Sequence, residues 1–170
     1  DWASDWSSSD LRVKDRPLQQ LIAEGRNALP LLTETLQKNS DPHVRLLTLT
    51  VLRQIKDPGR STAIRKALHD DSLNVRLQAL QAMGDLKDPQ ALPTLEQLIR
   101  EGSPAEKRQA ATALAQYPVS LVNQYTRTLL DQFGKPLDRF VEHALIYALR
   151  SEEHTSELQS QAYLVRRLLL

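Results

Sequence analysis

The sequence predicts an all-α fold: a right-handed α-solenoid of about five helical hairpins with a 31-residue period. Three observations carry that expectation. Asp10, Asp41, Ser72 and Ser103 stand 31 residues apart, and each can cap a helix by accepting from the free N–H groups of its first turn. Behind each cap the same apolar positions recur at helical spacing. Asp57-Pro58 and Asp88-Pro89, again 31 apart, stop a helix at one point of the period, because proline disfavours helical geometry in the residue before it. Composition agrees, since 5% aromatic residues and five glycines in 170 suit helices better than a sheet.

The first hairpin is expected at 10–23 and 28–38, with Asp10 as cap and Leu29, Leu32 and Leu36 as the stripe of its second helix. The second, at 41–56 and 60–69, opens on Asp41 with Pro42 at the first helical position, where a proline loses no hydrogen bond. Its second stripe is Ile64, Ala67 and Leu68. The third, at 72–86 and 90–101, opens on Ser72 and carries Leu95, Leu98 and Ile99. In the fourth, at 104–116 and 119–132, Ser103 and Glu106 make a capping box, and Val122, Tyr125 and Leu129 form the second stripe without an Asp-Pro turn. A fifth repeat starts near 135, with "RFVEHALIYAL" as its first helix over 136–149 and its register slipped by a few residues. Across the first four, one column reads Val13, Val44, Val75 and Glu106, the next Lys14, Arg45, Arg76 and Lys107. Leu18, Leu49, Leu80 and Ala111 follow, then Leu21, Leu52, Met83 and Leu114, which are expected to be buried and stacked in successive repeats.

"SDPHVRLLTLTVLRQIKDP" and "DSLNVRLQALQAMGDLKDPQALPTLEQLI" resemble HEAT-like repeats, in particular the short bacterial class known from phycobilisome lyases. The second stretch matches that pattern in its cap, its Val-Arg pair, its small residues and its Asp-Pro turn. The resemblance covers about residues 8 to 149 and implies an armadillo-like array; it is specific for fold and weak for function. "DLRVKDRPLQQLIAEGRNALPLL" and "DRFVEHALIYAL" also resemble repeat segments of bacterial dehydrogenase–cytochrome proteins, which would imply export to the periplasm. Residues 1–8 read as a linker or end cap and 9–149 as the array, with repeats starting near 10, 41, 72, 103 and 135. A chain opening on Asp1 is expected to be a piece of a larger bacterial protein.

"RSEEHTSELQS", residues 150–160, stands where the fifth repeat should turn. It resembles, codon for codon, the translation of a widely used sequencing-library adapter. In that frame three index-dependent residues follow, then Leu-Val-Cys-Arg-Leu-Leu-Leu. The chain reads "QAY" and "LVRRLLL", with only Arg166 departing. Residues 150–170 are therefore expected to be an adapter-derived tail, and His154, Glu152 and Glu153 are set aside as a site. Foreign origin does not preclude folding. Ser156 and Gln159 form a fortuitous capping box, and Leu158, Ala162, Val165 and Leu169 make one helical stripe, so 156–169 is expected to dock on the fifth repeat as an improvised cap.

Net charge is +1 from 22 basic and 21 acidic residues. The tail holds three of each sign, leaving 19 and 18, which is a poor basis for binding a polyanion. With no cysteine there is no disulfide, thiolate metal site or cysteine nucleophile. No apolar run approaches the roughly 20 residues that span a bilayer. His43, His69 and His143 stand apart at spacings that suit no metal pair. No catalytic motif is present, so no catalytic, cofactor-binding or metal-binding residue is assigned. The recurring Lys14, Arg45, Arg76 and Lys107 could form a ladder for phosphates or acidic peptides. A recurrence tied to the repeat more often maintains the repeat, each base meeting a nearby carboxylate (Asp15, Asp41, Asp71 or Asp85) or a carbonyl. Trp2 and Trp6 read as part of the linker or cap. The expected function is a non-catalytic protein-interaction or spacer module working through the second-helix face, with a protein partner and no cofactor, nucleic acid or membrane. Bilin-lyase-type and DNA-glycosylase-type repeat proteins are the alternatives, and cytoplasm and periplasm both stay open.

Overall fold

A computed structural model of the protein describes residues 19–133 and 138–149. Every regular element among them is helical. Residues 19–24 are helical and run into a 3-10 turn, Gly25–Ala28. Then come α1 (Leu29–Lys38), α2 (Pro42–Gln54), α3 (Gly59–Lys66), α4 (Leu73–Leu86), α5 (Leu92–Glu101), α6 (Pro104–Leu114), the single turn α7 (Val119–Val122), α8 (Thr126–Gln132) and α9 (Arg139–Leu149). The chain divides into two compact units, 1–64 and 65–170.

In the first unit α1 packs on α2. Their apolar columns supply the core: Leu32 and Leu36 from α1, and Leu49, Val51 and Leu52 from α2, closed by Ile55. Asp41 caps α2 as its sequence position demands, its carboxylate accepting from the His43 N–H at 2.9 Å. Gly25 sits at φ +53°, the left-handed region glycine enters without steric cost, where the chain leaves one helix for the next.

In the second unit α6 is the centre, packed against α4, α5 and α9. Val75, Ala79, Leu80 and Met83 face Ala110, Ala111 and Leu114 in a core that Leu95, Ile99, Leu129 and Leu145 extend. Small residues allow α4 and α6 to lie close. A Cβ added at Gly84 would stand 2.9 Å from the Ala113 Cα, so only glycine fits there. Ser103 and Glu106 form the expected capping box. Ser72 precedes α4 in extended backbone but makes no side-chain cap; the Asp70 carboxylate instead accepts the Ser72 N–H at 2.8 Å.

Two expectations are corrected. Leu52, Met83 and Leu114 are fully buried, whereas Leu21 is only half-buried. The helix expected over 119–132 is interrupted by a 3-10 turn at Asn123–Tyr125, in a stretch of β-branched and polar residues with weak helix propensity. The first helix of the fifth repeat, expected over 136–149, is described as Arg139–Leu149. Asp138 accepts from the Phe140 N–H at 2.8 Å, and its carbonyl opens the helix by accepting from Glu142. Asp138 lies 35 residues after Ser103, so the 31-residue spacing of the caps ends there. Counted from that cap, Val141 and Leu149 align with Val75 and Met83, and Leu145 and Ala148 with Ala79 and Ala82; all are buried. The helix expected from 10 is described only from residue 19, and the tail helix expected at 156–169 lies outside the described residues.

Candidate functional site

The basic column has a local purpose. An α-helix ends with carbonyls that lack an intrahelical donor and a partial negative charge, and both favour a cation. The Arg45 guanidinium is buried and donates to the Asn39 and Ser40 carbonyls at 2.7 and 3.2 Å, just past α1. Arg76 donates to the Asp70 and Asp71 carbonyls at 2.7 and 3.1 Å, just past the 3-10 turn Ala67–His69. Lys107 reaches the Arg100 carbonyl in the last turn of α5 at 3.0 Å. Each base therefore closes the helix before its own. Lys14 lies outside the described residues, and the fifth first helix has Glu142 in this column.

The carboxylate that Arg76 meets was not among those offered by the sequence. Asp41 serves its own helix, Asp71 contributes its carbonyl, and Asp15 lies outside the described residues. Glu106, the one residue out of pattern in the valine column, pairs with Arg76 at 2.7 Å. Its other oxygen accepts from the Ser103 N–H at 2.9 Å and the Ser103 hydroxyl at 2.6 Å. Burial pushes the Glu106 carboxyl up, but the Ser103 hydroxyl and N–H and the Arg76 guanidinium outweigh it and hold it below the usual carboxylate range. The one trace in the sequence is a charge in an apolar column, which names no partner.

The exposed chemistry lies on the second helices. On α5 and α8, Glu96 accepts from the Thr128 hydroxyl at 2.7 Å and pairs with Arg100 at 2.6 Å, while Arg100 donates to Thr128 at 3.1 Å. Burial and the nearby Glu96 carboxylate raise the Tyr125 hydroxyl beside them. Around this network Gln97, Glu101, Arg127 and Asp131 are exposed, giving a polar face with both signs of charge.

His43, His69 and His143 are each exposed and lie on three different elements. Among the described residues no group of three or more His, Asp or Glu is placed to hold a metal ion. Nor is any described helix long and apolar enough to cross a membrane. Trp2 and Trp6 lie outside the described residues. Sequence reasoning passed over two outward aromatics of α9, Phe140 (66% exposed) and Tyr147 (55%), one helical face of that repeat.

Residues 61–150 match the profile of a family described as HEAT repeats. No curated protein matches the chain.

Proposed function

The chain belongs to the HEAT-repeat family, and from that premise we propose that it is a non-catalytic protein-interaction or spacer module of a larger bacterial protein. HEAT repeats commonly serve as protein-binding surfaces, built from quasi-one-dimensional stacks. The observation that carries the reading is the division of labour among the charges. The recurring bases are engaged with helix ends, while α5 and α8 turn a mixed-charge polar face outward. A face with both signs suits a folded protein surface or peptide better than a polyanion. The array is read as residues 9–149, a right-handed solenoid of about five hairpins, with 1–8 as a linker or cap. Residues 150–170 are read as an adapter-derived tail. The short bacterial, lyase-like class remains the proposed subtype.

Photo-crosslinking tests the face. A crosslinkable residue placed at Gln97 or Arg127 should capture a defined partner from the source cell, and one at Gln78 or Gln81 on α4 should not. Preferential capture through α4 would move the interface and refute the proposed face. Duplex DNA at about 150 mM salt should bind no tighter than the non-specific range of roughly 10⁻⁴ to 10⁻⁶ M; a tighter, salt-steep complex would favour the nucleic-acid reading. The tail reading is tested by sequencing the source genome, which should diverge from this chain at the codon for Arg150.

A further inference from the structure

In stacked repeats each repeat ordinarily touches only its neighbours, so stability is a sum of nearest-neighbour terms. The turn at Asp88-Pro89, inside the third repeat, gathers contacts from both neighbours on one residue. From the repeat before, Arg65 near the end of α3 places its guanidinium 2.8 Å from the Asp88 carboxylate, with both side chains mostly covered. From the repeat after, the Tyr117 hydroxyl lies 3.0 Å from the Asp88 carbonyl and 3.0 Å from the Met83 carbonyl at the end of α4. Its single proton is shared between two acceptors that already hold backbone donors, from Ala91 and Lys87. Within the turn, the second carboxylate oxygen accepts from the Gln90 N–H at 3.0 Å.

The surroundings hold these partners in place. Tyr117 is buried, just beyond the end of α6, and it reaches α4 because Gly84 lets Ala113 come into backbone contact. Lys87 takes a left-handed conformation (φ 53°), unusual for a residue with a side chain, and its N–H returns to Met83 and Gly84. Pro89–Ala91 leads straight into α5, so whatever fixes the turn also fixes the start of that helix.

We propose that the Asp88 turn is a coupling node that makes the stretch from Arg65 to Tyr117 open and close together. Arg65 and Tyr117 need not touch each other: each bonds a different atom of one residue, so losing either loosens the anchor of the other. The node spans residues 65–117 and sets the stiffness of the block that carries α5.

Amide hydrogen exchange on the full chain reads local opening directly. Tyr117→Phe removes one hydroxyl from a buried site and should raise exchange about fivefold, the effect of one lost hydrogen bond, at the end of α4 and also at Lys66–Leu68 near Arg65. Arg65→Met should raise exchange at Ala113–Gln116, near Tyr117, by a similar factor. The double variant should exceed the stronger single variant by less than the product of the two. If Arg65→Met loosens the whole chain, Arg65→Lys, which keeps the charge, should restore protection at Ala113–Gln116 towards the parent level. Effects confined to each residue's own helix, multiplying in the double variant, would overturn the node and leave the proposed interaction face untouched.

Discussion

The turns at Asp57-Pro58 and Asp88-Pro89 are one repeat apart and have the same local chemistry, yet they are held differently. In both, the carboxylate accepts the N–H two residues on, from Gly59 at 2.8 Å and from Gln90 at 3.0 Å. In both, the aspartate carbonyl takes a backbone donor three residues on. Beyond that they diverge. Asp57 faces Arg26 at 3.9 Å, and that arginine is 87% exposed. Asp88 meets Arg65 at 2.8 Å in a largely covered pair, and Tyr117 reaches its carbonyl. A repeat motif thus sets a turn's shape, while its strength comes from residues that other repeats bring to it.

The strongest way to break the comparison is through the glycines near each turn. Gly84→Leu should cost about 3 kcal/mol, since the new side chain would meet the backbone of α6, which cannot move aside alone. Gly59→Ala meets the Asp57 Oδ1 at 3.0 Å and the Leu29 Cδ1 at 3.3 Å, side-chain atoms that can shift, and should stay within about 1 kcal/mol. Urea unfolding of the two variants checks the contrast. Equal losses would mean that the close approach at Gly84 is not what holds α4 to α6.

Replacing each aspartate by alanine is the next test. Asp57→Ala should cost about 1 kcal/mol, the loss of a cap. Asp88→Ala should cost about 2 kcal/mol, because the covered pair with Arg65 goes as well. Identical melting curves would show that Arg65 adds nothing.

A smaller effect is expected from acid. The Glu106 carboxyl is lowered in the folded protein, so its contribution is fully present above the unfolded value of about 4.3 and fades as pH falls through the lower folded value. Glu106→Gln should therefore flatten the stability profile below about pH 5, whereas Glu34→Gln, at an exposed i,i+4 pair on α1, should leave it nearly unchanged. A parent and a Glu106 variant with parallel acid profiles would count against that site. The smallest expected effect is Arg26→Met. Its long, exposed pair with Asp57 should shift stability by no more than about 0.3 kcal/mol in a thermal melt.

Much of this was legible in the chain. The caps at Asp41 and Ser103, the buried Leu52, Met83 and Leu114, and the turn function of both Asp-Pro pairs follow from spacing and from the chemistry of single residues. Those are local matters, decided within one helical turn or one apolar stripe. The break at Asn123–Tyr125, inside the helix expected over 119–132, was not legible, because no count of 31 contains it. The polar network of Glu96, Arg100 and Thr128 was invisible because residues about 30 apart become neighbours only when repeats stack.

What the sequence by itself determined is the repeating part: helices, caps, turns and the apolar face each helix buries, since backbone propensity and burial act residue by residue. Only the tertiary structure decided which irregular residues hold repeats together. Glu106 reads as a flaw in the valine column until Arg76 is seen beside it, and Tyr117 as a stray aromatic until its hydroxyl meets Asp88 and Met83. Their value lies in a partner a repeat away, and distance along the chain carries no information about hydrogen-bond geometry until the fold brings the two together.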